Sequence, residues 1–170
     1  EGVSFMKWLT NHMLVRGINE FTPHAFSMTY PDRDCPPHFY ARGNNPQFHA
    51  FAKLMQYMQR SAHILTGGQP MIDAAVLYHA ESEWSAKDYQ LYQKPMRVLM
   101  ENQLDCDVIP VQVLKAAYVE KNQLHIGNMT YSCLVLPGAA CEDKEAVAFV
   151  IEAAKKGLPV YAVDYVAEHD

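Results

Sequence analysis

Asp32, Asp34, Cys35 and His38 place four potential metal ligands within seven residues. Zinc accepts thiolate, imidazole and carboxylate donors and closes a structural site with four of them. Pro36 and Pro37 stiffen the segment, however, and no second Cys or His pair completes a tetrahedral set. No metal is therefore expected. Cys35, Cys106, Cys133 and Cys141 form no CxxC pair; they read as mostly buried thiols and fix no redox compartment. No GxGxxG follows the first long apolar run, so neither a dinucleotide nor any other cofactor is indicated. The polar stretch from His79 to Trp84 does follow that run. Loops at the carboxyl ends of parallel strands are the default ligand position. Trp84, with Glu81 and Glu83, is expected to face a domain boundary. Met55 and Met58 belong to a helical core stripe.

These residues must be positioned by two segments of different kind. In the first, Phe5, Leu9, His12, Met13 and Arg16 recur at helical spacing and stop at Gly17. Ile18–Phe26 is short and apolar and is expected to be a buried strand, with Pro23 near its end. Residues 27–46 hold four prolines and Gly43; a loop this long inside a compact domain is usually functional. Phe48, Phe51, Met55, Met58, Ala62 and Leu65 predict a helix ending at Gly67-Gly68.

After Pro70 the pattern changes. Ile72–Tyr78, Cys106–Val113, Ser132–Leu136 and Leu158–Val163 are apolar runs, as strands covered on both faces require. Helices are expected near 91–103 and 143–156, and a hairpin over 118–127 with its turn at Lys121-Asn122. This alternation predicts an α/β, doubly wound parallel sheet of flavodoxin-like order, with the first strand between the second and third. The expected boundary divides 1–68 from 69–170. The first part is too small to be a domain, since one strand makes no sheet. With a first residue that is not Met and no closing helix after Tyr161, the chain reads as a piece of a longer protein.

The 170 residues are 49% hydrophobic and 19% charged, which excludes a disordered or low-complexity chain. A net charge of −5 with no basic run argues against nucleic acid and membrane surfaces as partners. No apolar run approaches the ~20 residues of a membrane span. Glu1–Trp8 does not read as a signal peptide, which leaves localisation open.

Arg16-Gly17-Ile18-Asn19, Phe21, His24, Phe26, Pro36-Pro37-His38-Phe39-Tyr40, Asn45-Pro46 and Tyr57-Met58-Gln59-Arg60 together resemble the end of the catalytic barrel in large bacterial glycoside hydrolases. These are the barrel enzymes related to beta-galactosidases and rhamnosidase-like proteins. There the barrel is followed by a domain shaped like a class I glutamine amidotransferase. Ala74-Ala75-Val76-Leu77-Tyr78 resembles that domain's opening strand, and Tyr131 with Leu134-Val135-Leu136-Pro137-Gly138 resembles its "Y..LVLPG" strand.

The resemblance implies that 1–16, 18–26 and 47–66 are the last helix, strand and helix of a (β/α)₈ barrel. Such a barrel needs roughly 250 residues and carries its active site at the carboxyl ends of its strands. His24 would stand at that end of the eighth strand and hydrogen-bond a sugar hydroxyl, while Phe26 stacks on a sugar face. The two catalytic carboxyls of glycoside hydrolysis would lie on the fourth and seventh strands, so no catalytic residue is assigned here. Glu20, after Asn19, sits too early in the strand for the acid. The amidotransferase frame uses a Cys nucleophile on a sharp elbow after the following strand. That place reads Val163-Asp164-Tyr165-Val166, without Cys, Ser or Gly, and Cys141 is a packing residue.

The implied function is a fragment of a carbohydrate-active hydrolase, itself inactive, with an accessory domain supporting barrel packing or oligomerisation. Its substrate would be a carbohydrate, and the parent would be periplasmic or secreted. Exposed Phe5, Trp8, Phe21 and Phe26 would drive self-association into a homo-oligomer. The alternative is a self-contained flavodoxin-like binding or interaction domain without catalysis. An isolated Ile18–Phe26 segment would favour the fragment.

Overall fold

The computed structural model describes residues 2–24, 26–27, 29–33, 38–85 and 88–167. Asp34, Cys35, Pro36 and Pro37 lie outside the described residues. The chain forms two compact units, Glu1–Pro70 and Met71–Asp170.

In the first unit, α1 (Val3–Leu14) and α2 (Phe48–Leu65) pack together. Leu14 and Thr10 from α1 and Phe51, Leu54 and Met58 from α2 are buried. Tyr57 adds a cross-helix bond by donating its hydroxyl to Asn11 Oδ1 at 2.6 Å. The chain leaves α1 through Gly17, whose φ of +83° is open to glycine at little cost.

The expected strand at 18–26 does not form. Residues 18–24 and 26 carry no strand pairing, and Ile18 and Phe26 are about half exposed, at 46% and 51%. The physical reason is the lack of a partner: a strand is defined by ladder bonds to a neighbour, and the first unit has no strand among its described residues. Asn19 instead donates to Thr66 Oγ1 at 3.2 Å.

In the second unit, β1 (Ala74–Tyr78), β2 (Cys106–Pro110), β6 (Cys133–Leu136) and β7 (Val160–Ala162) form a parallel sheet of order β2-β1-β6-β7. Alternation along β1 feeds two cores. Ala75 and Leu77 pack with Leu134, Ala146, Ala153 and Leu158, which puts α6 (Lys144–Lys155) over one face. Ala74 and Val76 pack with Cys106, Val135, Met96 and Leu99, which puts α4 (Gln93–Glu101) over the other. Residues of β1 are 0–3% exposed except Tyr78, as expected of a strand covered on both faces.

The second unit is mixed α/β, with a small antiparallel sheet beside the parallel one. The run expected as one strand to Val113 turns at Pro110 into a short helix, α5 (Val111–Leu114). A short helix, α3 (Ala80–Trp84), occupies the start of the polar stretch after β1. The hairpin of β3 (Tyr118–Glu120) and β4 (Gln123–Ile126) turns through Lys121 and Asn122, both at positive φ. A third antiparallel strand, β5 (Met129–Tyr131), extends it. Tyr131 anchors this small sheet in the core and donates to Asp107 Oδ2 at 2.8 Å. Burial and that carboxylate push its phenol well above the ordinary value.

Candidate functional site

Strand order reverses between β1 and β6: the crossover from β1 runs to β2 on one side, and the chain then returns to β6 on the other. Ligand sites of open α/β sheets gather at the carboxyl ends beside such a reversal. His79 follows β1 directly and is fully buried. Glu142 follows β6, just before Asp143, the N-cap of α6, whose side chain accepts from the amides of Glu145 and Ala146.

The His79 ring meets acceptors on both sides. Nε2 stands 2.8 Å from the Gln90 carbonyl oxygen. Nδ1 stands 3.4 Å from Glu142 Oε2, an ion-pair distance off the line of a good hydrogen bond. Two facing acceptors favour the doubly protonated imidazolium, which alone offers two donors. Burial is the largest single influence on the ring and lowers its pKa. Glu142, the Gln90 carbonyl and the charge of Glu83 together outweigh it and hold His79 above its ordinary 6.5.

Gln90 ties three strand ends together. Residues 88–90 lie antiparallel to 138–140 through the Tyr89–Ala139 bridge, with Gln90 N donating to Gly138 O at 2.6 Å and Ala140 N to Asp88 O at 2.8 Å. The Gln90 carbonyl then takes the His79 ring after β1, and its side-chain amide donates to Asp164 Oδ2 after β7 at 2.6 Å. Asp164 has φ +64°, and Tyr165 N donates to Val163 O across it, which makes a tight turn. Its apex carries a carboxylate already engaged by Gln90, and no sulfur or hydroxyl nucleophile.

Beside this network lies an apolar cavity of about 210 Å³ between the ends of β1, β6 and β7 and the flank of α6. Leu77, Leu136, Val150, Ala162 and Tyr165 form its walls, and Glu142 is its one carboxylate among the described residues. The Tyr165 ring lies against Gly138, where an added Cβ would come within 2.9 Å of it and 2.8 Å of Val163 O.

The residues singled out from the sequence fall elsewhere. His24 is exposed. Phe26 stacks on Tyr40 with centroids 5.1 Å apart and an interplanar angle of 1°, and meets the edge of Phe48. Glu20 is exposed and borders an apolar groove of about 340 Å³ between α1 and α2. Of the metal-ligand cluster, Asp34 and Cys35 lie outside the described residues; His38 Nδ1 is 2.6 Å from Ser27 Oγ, and Thr29 donates to Asp32 at 3.3 Å. Among the described residues no group of three or more His, Cys, Asp or Glu is placed to hold a metal. Trp84 is 77% exposed. Sequence reasoning located the segment after β1 but missed His79 as its buried member, and missed Glu142, Gln90 and Asp164. The available signal was a histidine as the first polar residue after five apolar ones.

No protein-family model matches the chain, and no curated protein matches it. Among solved structures it is similar to the crystal structure of beta-galactosidase from Bifidobacterium adolescentis, at a TM-score of 0.39 and 19% identity. The match covers 55% of this chain and 40% of that chain. A likeness at this level is distant and partial, and it transfers no residue role.

Proposed function

We propose that the chain is the C-terminal portion of a carbohydrate-active glycoside hydrolase. On this reading residues 1–68 are the last helix, strand and helix of its barrel, and residues 69–170 are a flavodoxin-like, amidotransferase-shaped accessory domain. The observation that carries the reading is the 18–24 segment. It runs between two packed helices, carries Ile18 and Phe21, and lacks any strand partner among the described residues. A barrel supplies that partner on both sides. The order β2-β1-β6-β7 and the turn at Asp164 support the accessory-domain half. That turn carries no nucleophile, which supports a non-catalytic role.

Glycoside hydrolysis needs two carboxyl groups across the scissile bond, ~5–10 Å apart. One extended segment with Glu20 cannot supply them, so the reaction belongs to strands outside this chain. His24 and Phe26 would contribute substrate contacts at the mouth of the eighth strand. The accessory domain would support barrel packing or oligomerisation. The test is a panel of nitrophenyl glycosides offered to the intact gene product and to the 170-residue chain. The intact product should turn over at least one of them, and the chain none. Turnover by the chain that is lost in Glu20→Gln would overturn the assignment.

A second reading, a self-contained flavodoxin-like binding domain, is favoured by one observation, the cavity at the strand-order reversal. It requires the intact gene product to lack glycosidase activity.

A further inference from the structure

We infer that the cavity at the carboxyl ends of β1, β6 and β7 is a binding site for a small, neutral, compact hydrocarbon bearing one hydroxyl group, anchored on Glu142. The inference stands on the second unit alone and does not depend on the glycosidase reading.

Size comes first. Benzene fits a cavity of 150 Å³, so a groove of about 210 Å³, open to solvent at Ala162, Tyr165 and Val166, has room for a six-membered ring with one substituent. Wall chemistry comes second. Leu77, Leu136, Val150 and Ala162 offer no hydrogen bonds through their side chains, so hydrocarbon rather than a row of hydroxyls suits the face laid against them.

Glu142, the charged group among the described lining residues, decides the rest. Glu142 Oε1 already accepts from Ser82 Oγ at 3.3 Å and from Asp143 N at 3.2 Å. Oε2 faces His79 Nδ1 at 3.4 Å. A carboxylate has about four acceptor positions, so Oε2 keeps one for a donor entering from the cavity. The Glu142 side chain is 11% exposed, so this position is sheltered from bulk water. Its charge is already balanced by the fully buried His79 ring, whose two nitrogens both face acceptors. A second cation would be redundant there; a neutral hydroxyl completes the set without adding charge.

The experiment is a titration of the 170-residue protein with cyclohexanol, methylcyclohexane and cyclohexylammonium, followed by methyl NMR. Cyclohexanol should shift the Leu77, Val150 and Ala162 methyls saturably and bind about tenfold or more tighter than methylcyclohexane, since a bond to a charged acceptor is among the stronger ones. Ala162→Leu, which fills the cavity with hydrocarbon, should abolish those shifts while the protein stays folded. Glu142→Gln should weaken cyclohexanol and leave methylcyclohexane unchanged. Three results overturn the inference: no saturable shifts in the folded wild-type protein, equal affinity for methylcyclohexane, or tighter binding of cyclohexylammonium. Glycosidase activity of the intact gene product bears on none of them.

Discussion

His79 sits where an apolar strand ends and a polar network begins, and its charge state follows from its neighbours. Its pKa in the folded protein is raised above 6.5 by Glu142, Gln90 and Glu83 against the pull of burial. A raised folded value means the stabilisation is fully present below the unfolded pKa and is lost as pH rises through the folded one. Urea midpoints should therefore fall as pH rises above about 6.5 and through the raised folded value, and fall less in Glu142→Gln. A midpoint fall as large in Glu142→Gln as in wild type would mean the pair contributes nothing. Glu142→Gln should itself cost about 3 kcal/mol at pH 6, the usual penalty for orphaning one partner of a buried pair. His24 belongs to the same scale but to the other unit. On the proposed reading, His24→Ala in the intact gene product should lower kcat/KM by roughly ten- to a hundredfold, since each ~1.4 kcal/mol is tenfold. An unchanged rate per folded molecule with an early melt would make it a structural pin.

At the scale of elements, the second unit and the two helices of the first were legible, and the 18–26 segment between those helices was not. Apolar runs such as Ala74–Tyr78 and Cys133–Leu136 are buried on both faces, so their pattern alone carries strand and neighbour order. Asp143 marks the start of α6 as clearly in sequence as in the fold. The 18–26 run carries Ile18, Phe21 and Phe26 among Asn19, Glu20, Thr22, Pro23 and His24, and strand formation depends on a partner that local pattern cannot report. The site was legible only as a location. His79 meets Gln90 across eleven residues and Glu142 across sixty-three, and such pairings follow from topology rather than spacing. Two element-scale changes test this account. Asp143→Ala removes a cap and should cost about 1 kcal/mol. Gly138→Ala should cost about 1–3 kcal/mol, because its Cβ meets the Val163 carbonyl at 2.8 Å and the Tyr165 ring at 2.9 Å. Thermal unfolding reads both, and an unchanged Tm for Gly138→Ala would show that the β7 turn yields freely.

For the whole molecule, the first unit has two packed helices and no strand among its described residues, and the second has a turn at Asp164 without a sulfur or hydroxyl nucleophile. Phe5 and Trp8 stack in the open on α1, 49% and 56% exposed; Phe21, expected to join them, is only half-exposed beside the α1–α2 groove. Rings left outside a core drive association, so the isolated chain should scatter light as an oligomer. Phe5→Ser with Trp8→Ser should shift it toward monomer, and a clean monomer at all concentrations would count against this. The central claim is that these residues complete a barrel encoded with them. It is tested most directly by an immunoblot of the native cell with an antibody raised to Lys144–Lys155. A barrel of roughly 250 residues, most of it outside this chain, predicts a band at least ~20 kDa above the 19.3 kDa of these residues. A native band at 19.3 kDa would contradict it.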